Sequence, residues 1–226
     1  MSALWLCRAR LRQDSGATAA LARLLVPEGG GARIAAAHRL VWALFADAPE
    51  RRRDFLWRQE VPGRFMALSA RPPLPLSDLF EVEAKLFEPA LAVGDRLQFS
   101  LRANPVVSRG PPGQRGSRHD VVMNALHALP QAQRASARLQ AVADAGGAWL
   151  ARQGAAHGFA PAEGVSVDGY ETMRIPREAG EPARFGQMDF TGRLVVTDPA
   201  AFLPALAAGF GRARAFGCGL MLIRRA

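Results

Sequence analysis

The sequence predicts an α+β fold made of two tandem ferredoxin-like (RRM-like) domains, each with the element order β-α-β-β-α-β. First, segments with strand-like and helix-like apolar periodicity follow this order twice along the chain. Second, 49% of the 226 residues are apolar, which is enough to bury a sizeable core. Third, residues 87–94 have the character of a linker. We therefore expect domains at residues 1–88 and 95–226.

The first domain is predicted to centre on a long amphipathic helix at 34–47. Its apolar stripe consists of Ile34, Ala37, Val41, Leu44 and Phe45. The glycine-rich segment 27–32 predicts a flexible loop ahead of this helix, and Pro62-Gly63 predicts a tight turn. The predicted elements are a strand at 3–11, helices at 18–25 and 34–47, strands at 54–60 and 64–70, a short helical piece after the prolines of 72–75, and a strand at 79–86.

The second domain repeats this order with less regular patterning. Its last helix has clear local signals, because Asp198 suits the N-cap and Pro199 the first helical position. The Gly/Pro/Arg-rich stretch 108–117 predicts a mobile loop. The predicted elements are a strand at 96–107, helices at 118–128 and 132–153, a hairpin of strands at 164–175 and 184–196, a helix at 198–208 and a strand at 217–224.

The charge balance indicates a polyanionic partner. The formal net charge is +9, and Lys85 is the only lysine, so nearly all of the positive charge is arginine. A compositional bias of the encoding genome would explain arginine in place of lysine, but it does not explain an excess of basic over acidic residues.

The cysteines and the N-terminus indicate a cytoplasmic protein. Cys7 and Cys218 form no CxxC pair and no zinc pattern, and their apolar surroundings predict buried free thiols. The apolar run Ala3 to Cys7 is too short for a signal peptide, and no segment is long enough to span a membrane. Asp, Glu and His do not cluster at ligand spacing, so we expect neither a metal nor a cofactor.

The segment Gly209–Leu220 is the most distinctive part of the chain. It reads Gly-Phe-Gly-Arg-Ala-Arg-Ala-Phe-Gly-Cys-Gly-Leu, and it lies between a helix and an apolar strand. Glycines let backbone N–H groups approach phosphates, and Arg212 and Arg214 add charge. Neither GxGxxG nor GxxxxGK[ST] is present, so a nucleotide-binding fingerprint fits poorly. Gly209 alone has a second explanation, since it falls where a helix C-cap belongs.

Four segments together resemble the CasE family, the CRISPR RNA endoribonucleases of type I-E systems. The family's C-terminal glycine-rich loop resembles the segment above, and its central strand resembles Leu97–Val106, which contains Arg-Ala-Asn-Pro. Arg53-Asp-Phe-Leu-Trp57 is the third match, and Ser117-Arg118 before Val121–Leu126 is a weaker fourth. The matches occur in the family's order from about residue 34 onward. The resemblance implies the same two-domain fold.

The resemblance also implies a catalytic histidine, His38. The family carries its essential histidine on the first long helix, and His38 is the only one of the four histidines in that context. Helical geometry places His38 about 60° from the centre of the apolar stripe, a position that by itself suits an ordinary boundary histidine. Histidine can serve as general base or general acid near neutral pH, and the family uses it without metal to form a 2′,3′-cyclic phosphate. Some relatives carry a tyrosine three residues earlier, where this chain has Ala35.

Arginines are the expected RNA-binding residues, because the planar guanidinium pairs bidentately with phosphate. For any one of them, a solvated surface charge is an equally good explanation. A basic hairpin in the second domain engages the repeat stem-loop in the family. The predicted RNA-binding residues are Arg174, Arg177 and Arg184 on this hairpin, Arg102 and Arg118 near the mobile loop, and Gly209, Gly211, Arg212, Arg214, Gly217 and Gly219 in the glycine-rich segment.

The leading interpretation is a metal-independent endoribonuclease that cleaves CRISPR precursor RNA at a repeat stem-loop. We expect it to be a monomer when isolated, to act in the cytoplasm, and to stay with its RNA product among the other subunits of a type I-E effector complex. Two alternatives remain open. One is a module that binds the stem-loop with weak or no cleavage, which Ala35 favours. The other is a small-molecule enzyme that binds a nucleotide in the glycine-rich segment.

Overall fold

The computed structural model describes residues 3–12, 25–27, 29–111, 116–176 and 180–226. The N-terminal half contains β1 (Trp5–Leu11), α1 (Gly30–Ala43), β2 (Phe55–Val61), β3 (Arg64–Ser69) and β4 (Phe80–Leu86). Its strands form an antiparallel sheet in the order β2-β3-β1-β4, with α1 packed on one face. This strand order is the one that a β-α-β-β-α-β chain produces when its crossovers are right-handed.

A second helix is missing from the N-terminal half. The short helical piece predicted after the prolines of 72–75 is wrong, since residues 70–79 contain turns and no helix. Prolines lack a backbone donor and push the preceding residue out of the helical region, which explains the extended path. Leu76 and Leu79 of this segment still pack against the core, so it covers the sheet in place of a helix.

Helix α1 begins earlier than predicted, at Gly30, within the segment expected to be a loop. Its N-terminus packs closely on the C-terminal half: a methyl group at Gly31 would overlap the carbonyl oxygen of Arg174. Tertiary packing therefore overrides the low helix propensity of glycine here. The helical stretch predicted at 18–25 lies outside the described residues apart from Leu25.

The C-terminal half forms a second antiparallel sheet with helices packed on it. Its elements are β5 (Arg96–Ala103), β6 (Val106–Arg109), β7 (Ser117–Asp120), α2 (Val121–His127), α3 (Arg138–His157), β8 (Phe159–Pro161), β9 (Ser166–Ile175), β10 (Ala183–Val196), α4 (Pro199–Ala208) and β11 (Met221–Arg225). The sheet has the order β11-β5-β10-β8, and β9 also pairs with β10. The predicted fold class is confirmed.

Local signals in the C-terminal half are informative for some elements and not for others. The side chain of Asp198 caps α4 by accepting from the N–H groups of Ala200 and Ala201, as predicted. The strand predicted at 96–107 is interrupted at Asn104-Pro105. The segment predicted to be a mobile loop contributes to strands β6 and β7 of a hairpin, and its residues 112–115 lie outside the described part.

The two sheets meet through the faces that carry no helices. Leu56, Met66 and Leu68 of the first sheet form a buried cluster with Leu220, which precedes β11. Polar contacts add to it: Arg58 Nη1 donates to Ser100 Oγ at 2.7 Å. These contacts join the halves, while the division at residues 88 and 95 stays a prediction.

Candidate active site

His38 lies on α1 between aromatic rings from both halves of the molecule. Its ring centroid is 6.4 Å from that of Trp42, one turn along the same helix, and 6.0 Å from that of Phe216. Phe216 belongs to a 3₁₀ helix, Arg214–Phe216, in the glycine-rich segment, and it stacks on Phe185 of β10 at 5.6 Å. The imidazole is half-buried, so it is braced by these rings and still reaches the surface.

The surroundings of His38 favour its neutral form. Partial burial lowers the pKa of His38, and the positive charges of Arg53 and Arg39 lower it further. A pKa below the usual value near 6.5 leaves most of the imidazole unprotonated at pH 7. The ring can therefore accept a proton at physiological pH.

The charge of Arg53 acts on His38, and part of the Arg53 guanidinium has no acceptor in the described part of the chain. Its Nη1 atom is buried and has no hydrogen-bond partner among the described residues. Burial lowers the pKa of Arg53, and so does the nearby charge of Arg214. Its neighbour Arg51 behaves differently, since it pairs with Asp47 at 2.8 Å. We refer to His38, Arg53, Arg214 and Phe216 as the histidine pocket.

Sequence reasoning missed Arg53 as a site residue. The run Arg51-Arg52-Arg53 follows the first long helix, and placement of cations near a helix C-terminus explains such a run adequately. One signal was available: Arg53 is the first residue of the Arg-Asp-Phe-Leu-Trp match to the CasE family. A stabilising charge at a helix end does not explain why Arg53 belongs to that match.

The glycines of the glycine-rich segment shape the backbone. Gly209, Gly211, Gly217 and Gly219 all have positive φ, and all except Gly211 are buried. A side chain at Gly211 would lie 2.8 Å from the carbonyl oxygen of Asn104. Direct RNA contact by the three buried glycines therefore lacks support, and their role is to allow close packing. Gly209 ends α4 as proposed, although its ψ of 158° is extended and not left-handed helical.

The glycine-rich segment and the Arg-Ala-Asn-Pro motif pack on each other. The N–H of Arg212 donates to the Asn104 carbonyl at 3.1 Å, and the N–H of Gly219 donates to the Arg102 carbonyl at 2.7 Å. The sequence alone predicts that the backbone N–H groups of this segment bind phosphate, but these two donate to carbonyl groups of the protein. Two arginines of the segment reach the surface: Arg212 is exposed and Arg214 is half-buried. Arg214 Nε donates to the Gly211 carbonyl at 3.2 Å.

Arg102 is engaged within the protein. It forms a bidentate ion pair with Asp189 of β10, with both nitrogen–oxygen distances at 2.9 Å, and its Nη1 lies 3.4 Å from the carbonyl oxygen of Gln59. The hydrogen bond to Asp189 raises the pKa of Arg102. The structure thus places the arginine that we predicted as an RNA contact in a contact between the two halves. We call Arg58, Ser100, Arg102 and Asp189 the interface clamp.

The remaining predicted arginines lie on two hairpins. Arg174 of β9 and Arg184 of β10 are exposed and directly opposite each other in the ladder. Arg118 is exposed on β7, and Asp120 at the end of that strand accepts a hydrogen bond from Tyr170 of β9 at 2.9 Å. The structure brings Arg174 and Arg184 together. Arg177 lies outside the described residues.

Tyr170, the only tyrosine of the chain, does not take the place of the tyrosine that some CasE-family members carry at the position of Ala35. Tyr170 donates to Asp120, and burial and the Asp120 charge raise its pKa. Within the described ranges, no three His, Cys, Asp or Glu side chains come together as metal ligands would. No helix in the described part of the chain is both long and apolar enough to cross a bilayer.

The fold and pocket thus define a two-sheet α+β protein with an arginine-flanked histidine where its halves meet. Residues 4–225 match the model of a family described as CRISPR associated protein. The chain is 26% identical over 191 residues to the CRISPR system Cascade subunit CasE of Escherichia coli K12, covering 81% of this chain and 88% of CasE. It is 30% identical over 149 residues to the CRISPR-associated endoribonuclease Cse3 of Thermus thermophilus, covering 62% and 60% respectively.

A solved structure supports the same assignment. Thermus thermophilus Cse3 bound to an RNA that represents a pre-cleavage complex superposes with a TM-score of 0.68 at 26% identity, covering 98% of this chain and 99% of that one. The chain therefore belongs to this family of CRISPR-associated proteins, and the resemblance to the CasE family drawn from its sequence is confirmed.

Proposed function

We propose that this chain is a metal-independent endoribonuclease that cleaves CRISPR precursor RNA at the repeat stem-loop. The observation that carries the proposal is the position of His38: the half-buried imidazole lies 6.0 Å from Phe216 of the glycine-rich segment, and burial and the charges of Arg53 and Arg39 lower its pKa. Such a site suits a reacting phosphate. The names of the relatives support it, since one is an endoribonuclease and the other is a Cascade subunit.

The reaction needs no external nucleophile. The 2′-oxygen of the nucleotide before the scissile bond attacks phosphorus and forms the O2′–P bond, while the P–O5′ bond breaks. The 2′-hydroxyl proton goes to a base, and a proton is delivered to the leaving 5′-oxygen. The products are a 2′,3′-cyclic phosphate and a 5′-hydroxyl end. His38 serves one of these proton transfers, which is worth roughly 10²–10⁴-fold in rate.

The stem-loop is held by exposed arginines of the C-terminal half. Arg174 and Arg184 form a paired cationic patch on the β9–β10 hairpin, and Arg118 and Arg212 add charge from other segments. Arg177 between those strands is assigned the same role from its sequence position. RNA duplexes are recognised mainly through shape and phosphates, which arginines at such spacing can contact. Arg102 is less available for RNA, because Asp189 already accepts from its Nε and Nη2.

The protein acts in the cytoplasm and keeps the processed RNA. Retention of the stem-loop after cleavage would make it a subunit of a type I-E effector complex, in line with the name of its Escherichia coli relative. The two predicted domains, 1–88 and 95–226, divide the work: the first supplies His38 and the second supplies most of the RNA-binding surface.

Cleavage of a synthetic RNA carrying one CRISPR repeat from the same genome tests the proposal. Wild type, His38→Ala and the control His127→Ala are compared in EDTA under single-turnover conditions, with analysis of the product ends. We expect cyclic-phosphate ends from wild type and from His127→Ala, and at least ~10²-fold slower cleavage by His38→Ala with RNA affinity unchanged. Metal-dependent cleavage, or full activity of His38→Ala, would contradict the proposal.

A second candidate function is a stem-loop-binding module without efficient cleavage. Ala35 keeps this alternative open, since it stands where some members of the CasE family carry a tyrosine. Tight RNA binding by wild type with no cleavage beyond that of His38→Ala would establish this alternative.

A further inference from the structure

Arg53 is a buried cation whose hydrogen-bonding capacity is partly unused. Its side chain is half-buried, and Nη1 is fully shielded without a partner among the described residues. Removing a charged donor from water without supplying an acceptor is costly.

The charges around Arg53 favour an anion as the acceptor. Arg214 approaches Arg53 closely enough to lower its pKa, and Arg212 does the same to the pKa of Arg214. Among the described residues that influence these two guanidiniums, none is a carboxylate. Two half-buried guanidiniums of like charge repel each other until a negative group lies between them.

The position of Arg53 relates that anion to the histidine. Arg53 is the first of the charges that act on His38, ahead of Arg39 of the same helix. It precedes β2, whose Trp57 Nε1 donates to the Ala215 carbonyl at 3.2 Å, and this bond fixes the chain of Arg214 over the N-terminal half. The 3₁₀ helix Arg214–Phe216 thus contacts both the helix of His38, through Phe216 at 6.0 Å, and the strand that follows Arg53, through Trp57.

We propose that Arg53 binds a non-bridging oxygen of the scissile phosphate and stabilises the phosphorane that forms when the 2′-oxygen attacks. Arg214 closes the other side of the phosphate. In the phosphorane the non-bridging oxygens gain negative charge, so donors held in place strengthen their interaction as the reaction proceeds. Arg53 is then a catalytic residue that supplies charge where Ala35 leaves no hydroxyl. This inference rests on the proposed cleavage reaction.

Single-turnover cleavage of the repeat RNA by Arg53→Met, Arg53→Lys and the control Arg52→Ala tests it, after wild type has been used to map the cleavage position. Arg52 is exposed and adjacent, so its loss removes the same charge without touching the pocket. We expect Arg53→Met to cleave about 10²–10³-fold more slowly, since removal of one transition-state donor has that effect. Arg53→Lys should recover part of this rate, and Arg52→Ala should match wild type.

Phosphorothioate substitution separates a contact with the scissile phosphate from a structural role. Sulfur at one non-bridging position of the mapped linkage should slow wild type, and Arg53→Met should lose most of that slowing. The melting temperature of Arg53→Met should equal or exceed that of wild type, because an unpaired buried charge has been replaced by an apolar side chain.

Each failure has its own meaning. If wild type does not cleave, the proposed function fails and Arg53 has no reaction to serve. If wild type cleaves and Arg53→Met keeps its rate, the role of Arg53 is wrong while the function stands. The proposal is overturned if sulfur at the scissile linkage slows Arg53→Met as much as it slows wild type. It is also overturned if Arg53→Met changes the phosphorothioate effect only at a neighbouring linkage, because Arg53 then binds a flanking phosphate.

Discussion

The histidine pocket and the interface clamp both contain arginines drawn from the two halves, yet their charges are balanced differently. In the clamp, Arg102 has Asp189 as a bidentate partner, and Asp189 and Glu60 also act on Arg58. In the pocket, Arg53 and Arg214 have no carboxylate among the groups that shift them. Carboxylates balance the charge of the clamp arginines, and none balances that of the pocket arginines, although Arg58 Nε and Arg53 Nη1 both lack a hydrogen-bond partner among the described residues. The unbalanced pair is the one that suits an anionic ligand.

The largest expected effect comes from moving the helix that carries His38. Gly31→Ala places a methyl group on top of the Arg174 carbonyl oxygen, so α1 has to move away from β9. We expect a loss of about 3 kcal/mol in the free energy of unfolding, as for severe overpacking, together with loss of cleavage as His38 shifts from Phe216. Chemical denaturation measures the stability.

Gly147→Ala is the matched control for this change. Gly147 lies within α3, and nothing stands within 4 Å of the position that a methyl group would take. Alanine should stabilise the protein there by about 0.5–1 kcal/mol through its higher helix propensity. Equal losses from the two substitutions would show that α1 is not packed on β9 as the structure has it.

Breaking only the clamp should cost stability and spare the chemistry. Asp189→Ala removes the partner of Arg102, and since both side chains are about one-third exposed we expect a loss of about 1–2 kcal/mol. Cleavage by the folded protein should stay within about 3-fold of wild type, because His38 and Arg53 keep their positions. A large loss of rate at full folding would mean that the clamp and the pocket are one unit.

The pH dependence of cleavage sharpens the difference between the regions. Arg53 and Arg39 lower the pKa of His38, while Arg214 acts on Arg53 and Arg212 acts on Arg214. Arg53→Met should therefore raise the His38 pKa, and Arg39→Ala should raise it less. The titration midpoint of the rate should move to higher pH in both variants, while Asp189→Ala should leave it unchanged.

The sign of the rate change also identifies the role of His38. A general base is active when neutral, so a raised His38 pKa shifts the acid limb of the pH–rate profile to higher pH, and the rate near pH 6 falls. A general acid is active when protonated, so a raised His38 pKa shifts the alkaline limb of the profile to higher pH. The rate on that limb then rises relative to the maximum. A midpoint that stays fixed in Arg53→Met would contradict the placement of Arg53 beside His38.

The smallest expected effect is seen at a buried thiol behind the clamp. Burial raises the pKa of Cys218 to about 12, and the charges of Arg102 and Asp189 both act on it. Wild type should resist iodoacetamide at pH 8, and Asp189→Ala should label Cys218 faster as the clamp loosens. Cys7, whose pKa burial raises to about 11, lies in the core of the N-terminal half and serves as the internal control in mass spectrometry. Faster labelling of both thiols would indicate general unfolding.

Local signals predicted the parts of the fold that depend on neighbours in sequence. Asp198 and Pro199 predicted the start of α4, and Pro62-Gly63 predicted the hairpin between β2 and β3. The start of α1 could not be predicted, because the close approach of Gly31 to Arg174 decides it and glycine propensity argues against it. The interruption of the central strand has a local signal in Pro105, which lacks a backbone N–H, whereas the bridge of Asn104 to Arg212 is a long-range contact that the sequence does not reveal.

The site was predictable only in part for the same reason. His38 followed from the family resemblance together with its place at the edge of an apolar stripe. Asp189, the partner of Arg102, is far away in sequence, so Arg102 looked as available for RNA as any other arginine. Arg53 looked like an ordinary helix-end cation until the structure placed it next to Arg214.

The bond from Trp57 Nε1 to the Ala215 carbonyl has a consequence for the order of synthesis. A ribosome releases His38 and Arg53 early, and the first sheet can form around them while the second is still being made. Phe216 and Arg214 emerge only after helices α1 to α4 have been translated. A nascent chain therefore carries a histidine with half of its surroundings missing. The proposed site is complete only after the two sheets have docked, so we expect cleavage to begin with that step.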